Sequence, residues 1–201
     1  AQSHWWYPER GSAITIEIDK IKYDLPGGYE TNRGIFNMVG FVGGRLALND
    51  DMNLLWEIPF SNVDIKDEGW GDFGYGYYWP YYEHDEFAIG NPLFGIEQNV
   101  GRGLLTRASI RVPLADDKKP MAEWTGITTA YDRFEAFVPK LFTVSANIGY
   151  REPDPATAFN AQLLIGPTFM IPTEGNAELF VDYSAYLGVT IPKAQIGAVF
   201  G

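Results

Sequence analysis

The chain has 201 residues, with 15 basic and 26 acidic side chains, a formal net charge of −11, and no cysteine. Its length suffices for one domain with a sizeable core. The acidic balance excludes the basic surface that a nucleic-acid partner requires, and disfavours an anionic membrane surface, while the lack of cysteine excludes disulfides and thiolate metal sites.

No apolar run reaches the roughly 18 residues of a transmembrane helix. The chain opens "AQSHWWYPER" without Met, as a mature N-terminus left by signal-peptide cleavage would. Residues 1–11 read as an N-terminal, periplasmic segment of a single domain. Strand-like alternation follows. In 13–23, Ile14, Ile16 and Ile18 alternate with Thr15, Glu17 and Asp19. In 36–48, Phe36, Met38, Val42, Leu46 and Leu48 oppose Asn37, Val39, Phe41 and Arg45.

The stretch 52–61 sorts most sharply. Met52, Leu54, Trp56, Ile58 and Phe60 share one face; Asn53, Leu55, Glu57, Pro59 and Ser61 share the other. Pro59 lacks a ladder donor and is expected near a strand end or bulge. The pattern recurs in 87–98, weakly around Asn91-Pro92, and then in 104–114, 142–151, 159–171 and 179–189. Period-two alternation of this length predicts eight long strands, with a ninth candidate in 195–201. Such lengths suit tilted membrane-barrel strands, which need about 9–11 residues, rather than ordinary strands of about 5–6.

The links alternate between long and short through the first six strands. Outer-membrane barrels have short periplasmic turns and longer outer loops. One long link, 62–86, carries eight aromatic and seven acidic residues. Trp70, Phe73, Tyr75, Tyr77, Tyr78, Trp79, Tyr81 and Tyr82 give it an exposed contact surface for a glycan, a protein or another subunit, or rings for the interfacial girdle of a loop folded on itself. A second, 115–139, contains an amphipathic helix over 121–138, with Met121, Trp124, Thr128, Tyr131, Phe134 and Val138 on its apolar face between Pro120 and Pro139. That helix caps the barrel mouth, folds into the lumen or lies at the membrane interface.

The fold class expected is therefore all-β: an antiparallel up-and-down transmembrane barrel of at least eight strands, with one helix in a long loop. The set Met52, Leu54, Trp56, Ile58 and Phe60 faces lipid. Glu17, Asp19, Arg45, Glu57, Arg107, Arg111, Asn147, Gln162 and Asp182 face a wet or salt-bridged lumen, with Asn160 and Glu178 in the same phase. A soluble barrel carries the same alternation with inside and outside exchanged.

The phrases "GNPLFGIEQNVGRG", "RASIRVPLADD", "TAYDRFEAFVPKLFTVSANIGYR" and "IGPTFMIPTEGNAELFVDYSAYLGV" resemble an uncharacterised family of bacterial outer-membrane β-barrel proteins, over roughly 36–189. The resemblance implies a barrel in the outer membrane, with lipid as its partner, in a family whose members are described only as transporters or as barrels of no assigned activity. It carries over no functional residue. Such barrels usually end on a terminal aromatic, whereas this sequence ends Val199-Phe200-Gly201 inside a strand candidate. Three outcomes stay open: eight strands close with a tail, further strands follow, or another chain completes the sheet.

Chemistry is sparse. His4 and His84 are the only histidines, and no G-x-S-x-G elbow occurs, so no catalytic site is expected. His84, Asp85 and Glu86, or Asp64, Asp67, Glu68 and Asp72, supply metal-ligand atom types without ligand spacing, so neither metal nor cofactor is expected. The function expected is a non-enzymatic barrel that passes small solutes or displays loops. The alternatives are an interaction protein that assembles with itself or an envelope partner through its aromatic loop, and a soluble ligand-binding barrel.

Overall fold

A computed structural model describes residues 12–24, 33–67, 82–151, 159–191 and 194–200. They form one antiparallel sheet that curls into a half-barrel, with little helix. The strands are β1 (Ala13–Asp24), β2 (Arg33–Ala47), β3 (Met52–Asp67), β4 (Tyr82–Ile89), β5 (Leu93–Gly101), β6 (Leu104–Arg111), β7 (Leu141–Arg151), β8 (Phe159–Pro172), β9 (Glu178–Ile191) and β10 (Ala194–Phe200). Each pairs with its sequence neighbour except at β4 and β5, which share one lane beside β3. Ten strands therefore fill nine lanes. Among the described residues β1 pairs only with β2 and β10 only with β9, and these two edges run in the same direction.

The shared lane explains the weak alternation at Asn91-Pro92. β4 ends with Ile89 opposite Phe60, and β5 begins with Leu93 opposite Glu57. Gly90, Asn91 and Pro92 thus oppose only Ile58 and Pro59, a bulge of one extra residue. The Gly90 N–H reaches the Pro59 carbonyl at 2.9 Å, and that of Asn91 turns away to the Ala136 carbonyl at 2.6 Å. Pro59 does sit opposite a bulge.

Two boundaries differ from the expectation. The loop read as 62–86 is strand at both ends, because β3 runs to Asp67 and β4 starts at Tyr82. The cause is continued cross-strand pairing of polar residues, Asp64 with Asp85 and Lys66 with Glu83, which alternation of apolar residues does not reveal. The helix read as 121–138 is a ten-residue helix α1 (Pro120–Thr129), then a 3₁₀ turn α2 (Tyr131–Ala136).

The predicted helix face is also overturned. Trp124 is 63% and Tyr131 82% exposed, and Met121 is exposed as well, whereas Ala122, Gly126, Ala130, Ala136 and Phe137 are buried. The segment 115–140 folds onto the concave side of the sheet, where close approach favours small residues. Phe137 packs edge-on against Phe41 at 5.8 Å, beside Val39. A Cβ on Gly126 would lie 2.2 Å from the Phe137 ring. Ala122 packs on Val63 and Ala88.

The sheet has two contrasting faces. On the convex side Ile14, Ile16, Ile58, Phe87, Phe94, Ile110, Ile148, Leu163, Ile165, Val181 and Leu187 are exposed. Trp56 and Phe60 lie partly shielded there, their rings across the glycines opposite them, Gly44 and Gly40, an arrangement in which an aromatic covers a bare strand position. On the concave side lie Glu57, Ser61, Glu97, Arg107, Ser109 and Arg111, each at most 6% exposed.

Candidate functional site

The concave face holds three polar assemblies, each tied to a strand and to segment 115–140 or a neighbouring strand. The first is centred on Glu57. Arg111 Nη2 lies 2.7 Å from Glu57 Oε1, and its Nε lies 3.4 Å from Glu135 Oε1. Arg133 comes down from α2, donates to Glu57 Oε2 at 3.4 Å and to Glu17 on β1, and sits 3.5 Å over the Phe41 ring. Arg111 also donates to the Asn91 carbonyl at 2.9 Å. Asn91 uses its side-chain amide on the Glu135 and Val138 carbonyls and its side-chain oxygen on the Ala115 N–H. The bulge residue thus fastens both ends of segment 115–140, the plug of the concave side, to the wall.

The second assembly is Glu97 between Arg107 at 2.7 Å and Arg151 at 3.0 Å, with Arg151 Nε donating to Gln162 at 2.8 Å. The third is Glu86, whose Oε1 accepts the Met121 and Ala122 N–H groups at 3.0 and 3.1 Å. A carboxylate there meets both unsatisfied donors and the positive end of the helix dipole. His84 Nε2 lies 2.9 Å from the other oxygen of Glu86, and Ser61 donates to the Ala122 carbonyl at 2.7 Å.

Two plug carboxylates are held away from their ordinary titration range. Burial pushes Glu123 up to about 7, helped by Asp116, Asp117 and Glu86. Burial also raises Glu135, against the pull of Arg111, with Glu57 and Asp182 adding to the rise.

A cavity of about 310 Å³ separates the plug from β6–β9. Its wall includes Arg107, Arg111, Asn147 and Asp182 from the sheet, and Asp132 and Glu135 from the plug. Hydroxyls of Ser109, Thr143, Ser145, Thr168 and Ser184 run between them, with Ser109 and Ser145 oxygens 2.6 Å apart and Thr168 donating to Asp182.

Of the nine residues expected to face a lumen, Glu17, Glu57 and Arg111 meet in the first assembly, Arg107 and Gln162 in the second, and Asn147 and Asp182 at the cavity. Arg45 is buried on the same side, and Asp19 is exposed near the edge of β1. Met52, Leu54, Trp56, Ile58 and Phe60 lie on the opposite, convex side, Ile58 being 44% exposed. Trp70, Phe73, Tyr75, Tyr77, Tyr78, Trp79 and Tyr81 fall outside the described residues, and Tyr82 opens β4.

Sequence reasoning missed Arg133, Glu135, Asn91, Glu97, Glu86 and Arg151 as members of these assemblies. Glu97 was findable, since it alternates in phase with Leu93 and Gly95. Arg133 and Glu135 were not, because they lie in a segment whose polar face reads as solvated. Among the described residues no three metal-ligating groups converge; His84 and Glu86 meet each other, while Asp85 is exposed. Comparison with protein families, curated proteins and solved structures gives no match to this chain.

Proposed function

We propose that the chain is a non-enzymatic β-barrel protein of the bacterial outer membrane, acting as a plugged scaffold that displays its long connections and leaves a narrow route for small solutes. The observation that carries this reading is the inverted polarity of the sheet. A convex band of Ile, Leu, Val and Phe is exposed across its width while glutamate and arginine are buried on the concave side. In water such a band would be a large aggregation liability; in hydrocarbon it is the surface required.

Strand lengths of up to 16 residues are more than enough to cross a bilayer. Connections 25–32, 68–81, 112–140 and 173–177 leave from one rim, and 48–51, 102–103, 152–158 and 192–193 from the other, the first set being the longer in all. On this reading the second set is periplasmic and the first external. Lipid is the required partner. Because every backbone group in hydrocarbon must be paired, the sheet would be closed in the membrane. With β1 and β10 running the same way, fully antiparallel closure takes an odd number of additional lanes.

The test is extraction of the native protein from cell envelopes, followed by gel migration with and without boiling. Recovery only with detergent, and a migration shift on boiling, is the expected result. Monodisperse protein recovered in buffer alone would overturn the membrane reading and favour a soluble barrel.

A further inference from the structure

The cavity between the plug and β6–β9 is not consumed by the scaffold role. We infer that it is a binding site for a small, hydroxylated organic cation, an amino sugar by chemical class. Its volume of about 310 Å³ lies at the small end of the ligand-pocket range. Three features of its wall select the ligand.

First, the charge balance is negative. Asp132, Glu135 and Asp182 share the wall with Arg107 and Arg111, Glu135 lying 3.4 Å from Arg111. Both guanidiniums are already engaged by carboxylates behind the wall, Arg107 by Glu97 at 2.7 Å and Arg111 by Glu57 at 2.7 Å. An anion would have to displace a buried partner. Asp182, by contrast, accepts from the neutral Thr168 hydroxyl. The upward push of Asp182 and Glu57 on the Glu135 carboxyl reports the same negative field.

Second, the hydroxyl strip along β6–β9 can donate and accept at once, as polyol recognition needs. Third, the Tyr131 ring, 82% exposed, lines the same cavity and offers a flat apolar face. An ammonium seated between Asp132 and Asp182, with ring hydroxyls along the strip, satisfies all three. The inference does not rest on the membrane reading, because the concave face is the interior whatever covers the convex one.

The experiment is calorimetric titration of the whole chain, in detergent or in buffer according to which keeps it monodisperse, with glucosamine, glucose and glucuronate. These share a skeleton and differ in charge. Glucosamine should bind at micromolar to millimolar strength, glucose at least about tenfold more weakly, and glucuronate not measurably, a tenfold step being about 1.4 kcal/mol. Asp182→Asn and Asp132→Asn, both at exposed positions, should each weaken glucosamine by about tenfold with the far-ultraviolet spectrum unchanged. Glucuronate binding as tightly as glucosamine, no heat with glucosamine at millimolar concentration, or indifference to both substitutions in folded protein would each overturn the inference.

Discussion

The concave face is filled over β2–β5 and open over β7–β9. On the filled side α1 and the Phe137 turn press Ala122, Ala130, Ala136 and Phe137 onto Val39, Phe41, Val63 and Ala88. On the open side, among the described residues, the buried apolar cluster is Leu105, Leu164 and Tyr186, and they meet over Gly149, which pairs with both Leu105 and Leu164. One polar sheet face is thus kept folded in two ways. Where the plug lands, carboxylates and guanidiniums are buried and must match one another. Where it does not, similar residues line the cavity.

The contrast breaks most readily at Glu57, the shared partner of Arg111 and Arg133. Glu57→Gln leaves two buried guanidiniums short of charge, and a urea titration should show a loss of about 3–5 kcal/mol. Phe137→Ala empties the filled side and should cost about 3–4 kcal/mol, whereas Leu164→Ala, beside a cavity that can relax or admit water, should cost nearer 2–3 kcal/mol. Equal losses for these two would mean that the sides pack alike.

A finer test uses pH. The Glu123 carboxyl is raised in the folded chain to about 7 from an ordinary 4.5, so the folded state binds the extra proton between those values. Its contribution to stability is present below the ordinary value and is lost as pH rises toward 7. Relative to Glu123→Gln, the native chain should therefore lose urea midpoint between about pH 5 and pH 8, and the glutamine variant should be the more stable at the upper end. A difference that stays flat across that range would place Glu123 outside the plug's electrostatics. The smallest effect belongs to the exposed Asp117–Lys140 pair, 2.7 Å apart. Asp117→Asn should leave the midpoint within error, since exposed pairs contribute little.

The strands were legible because alternation over 13–23, 36–48 or 179–189 follows from the pleat alone. The two faces were legible as well, although which of them turned inward was not: Trp56 and Glu57 alternate identically in a barrel for lipid and in a barrel for water. The plug face was misread for the same reason. A helix that docks on buried carboxylates and glycine-rich strands buries Ala122, Glu123 and Gly126 and leaves Trp124 outside, the reverse of a helix docking on an oily core. The ion-pair partners were illegible because Arg133 and Glu17 are joined across 116 positions, a separation no local pattern spans.

The extra residue at Gly90–Pro92 sets a reading frame for side chains. Before it, even numbers turn inward, as Glu86 and Ala88 do; after it, odd numbers do, as Leu93, Gly95 and Glu97 do. Stepping by twos from Glu86 as though no residue were extra would bring Phe94 and Ile96 inside and put Glu97 out; the bulge absorbs the extra residue and keeps Glu97 beside Arg107. A single deletion there is therefore unlike a deletion in a loop of equal length. Removing Asn91 would leave two residues opposite Ile58 and Pro59, a regular ladder that keeps Leu93 and Glu97 turned inward, so the lane would hold its phase while the plug lost the side chain that fastens it.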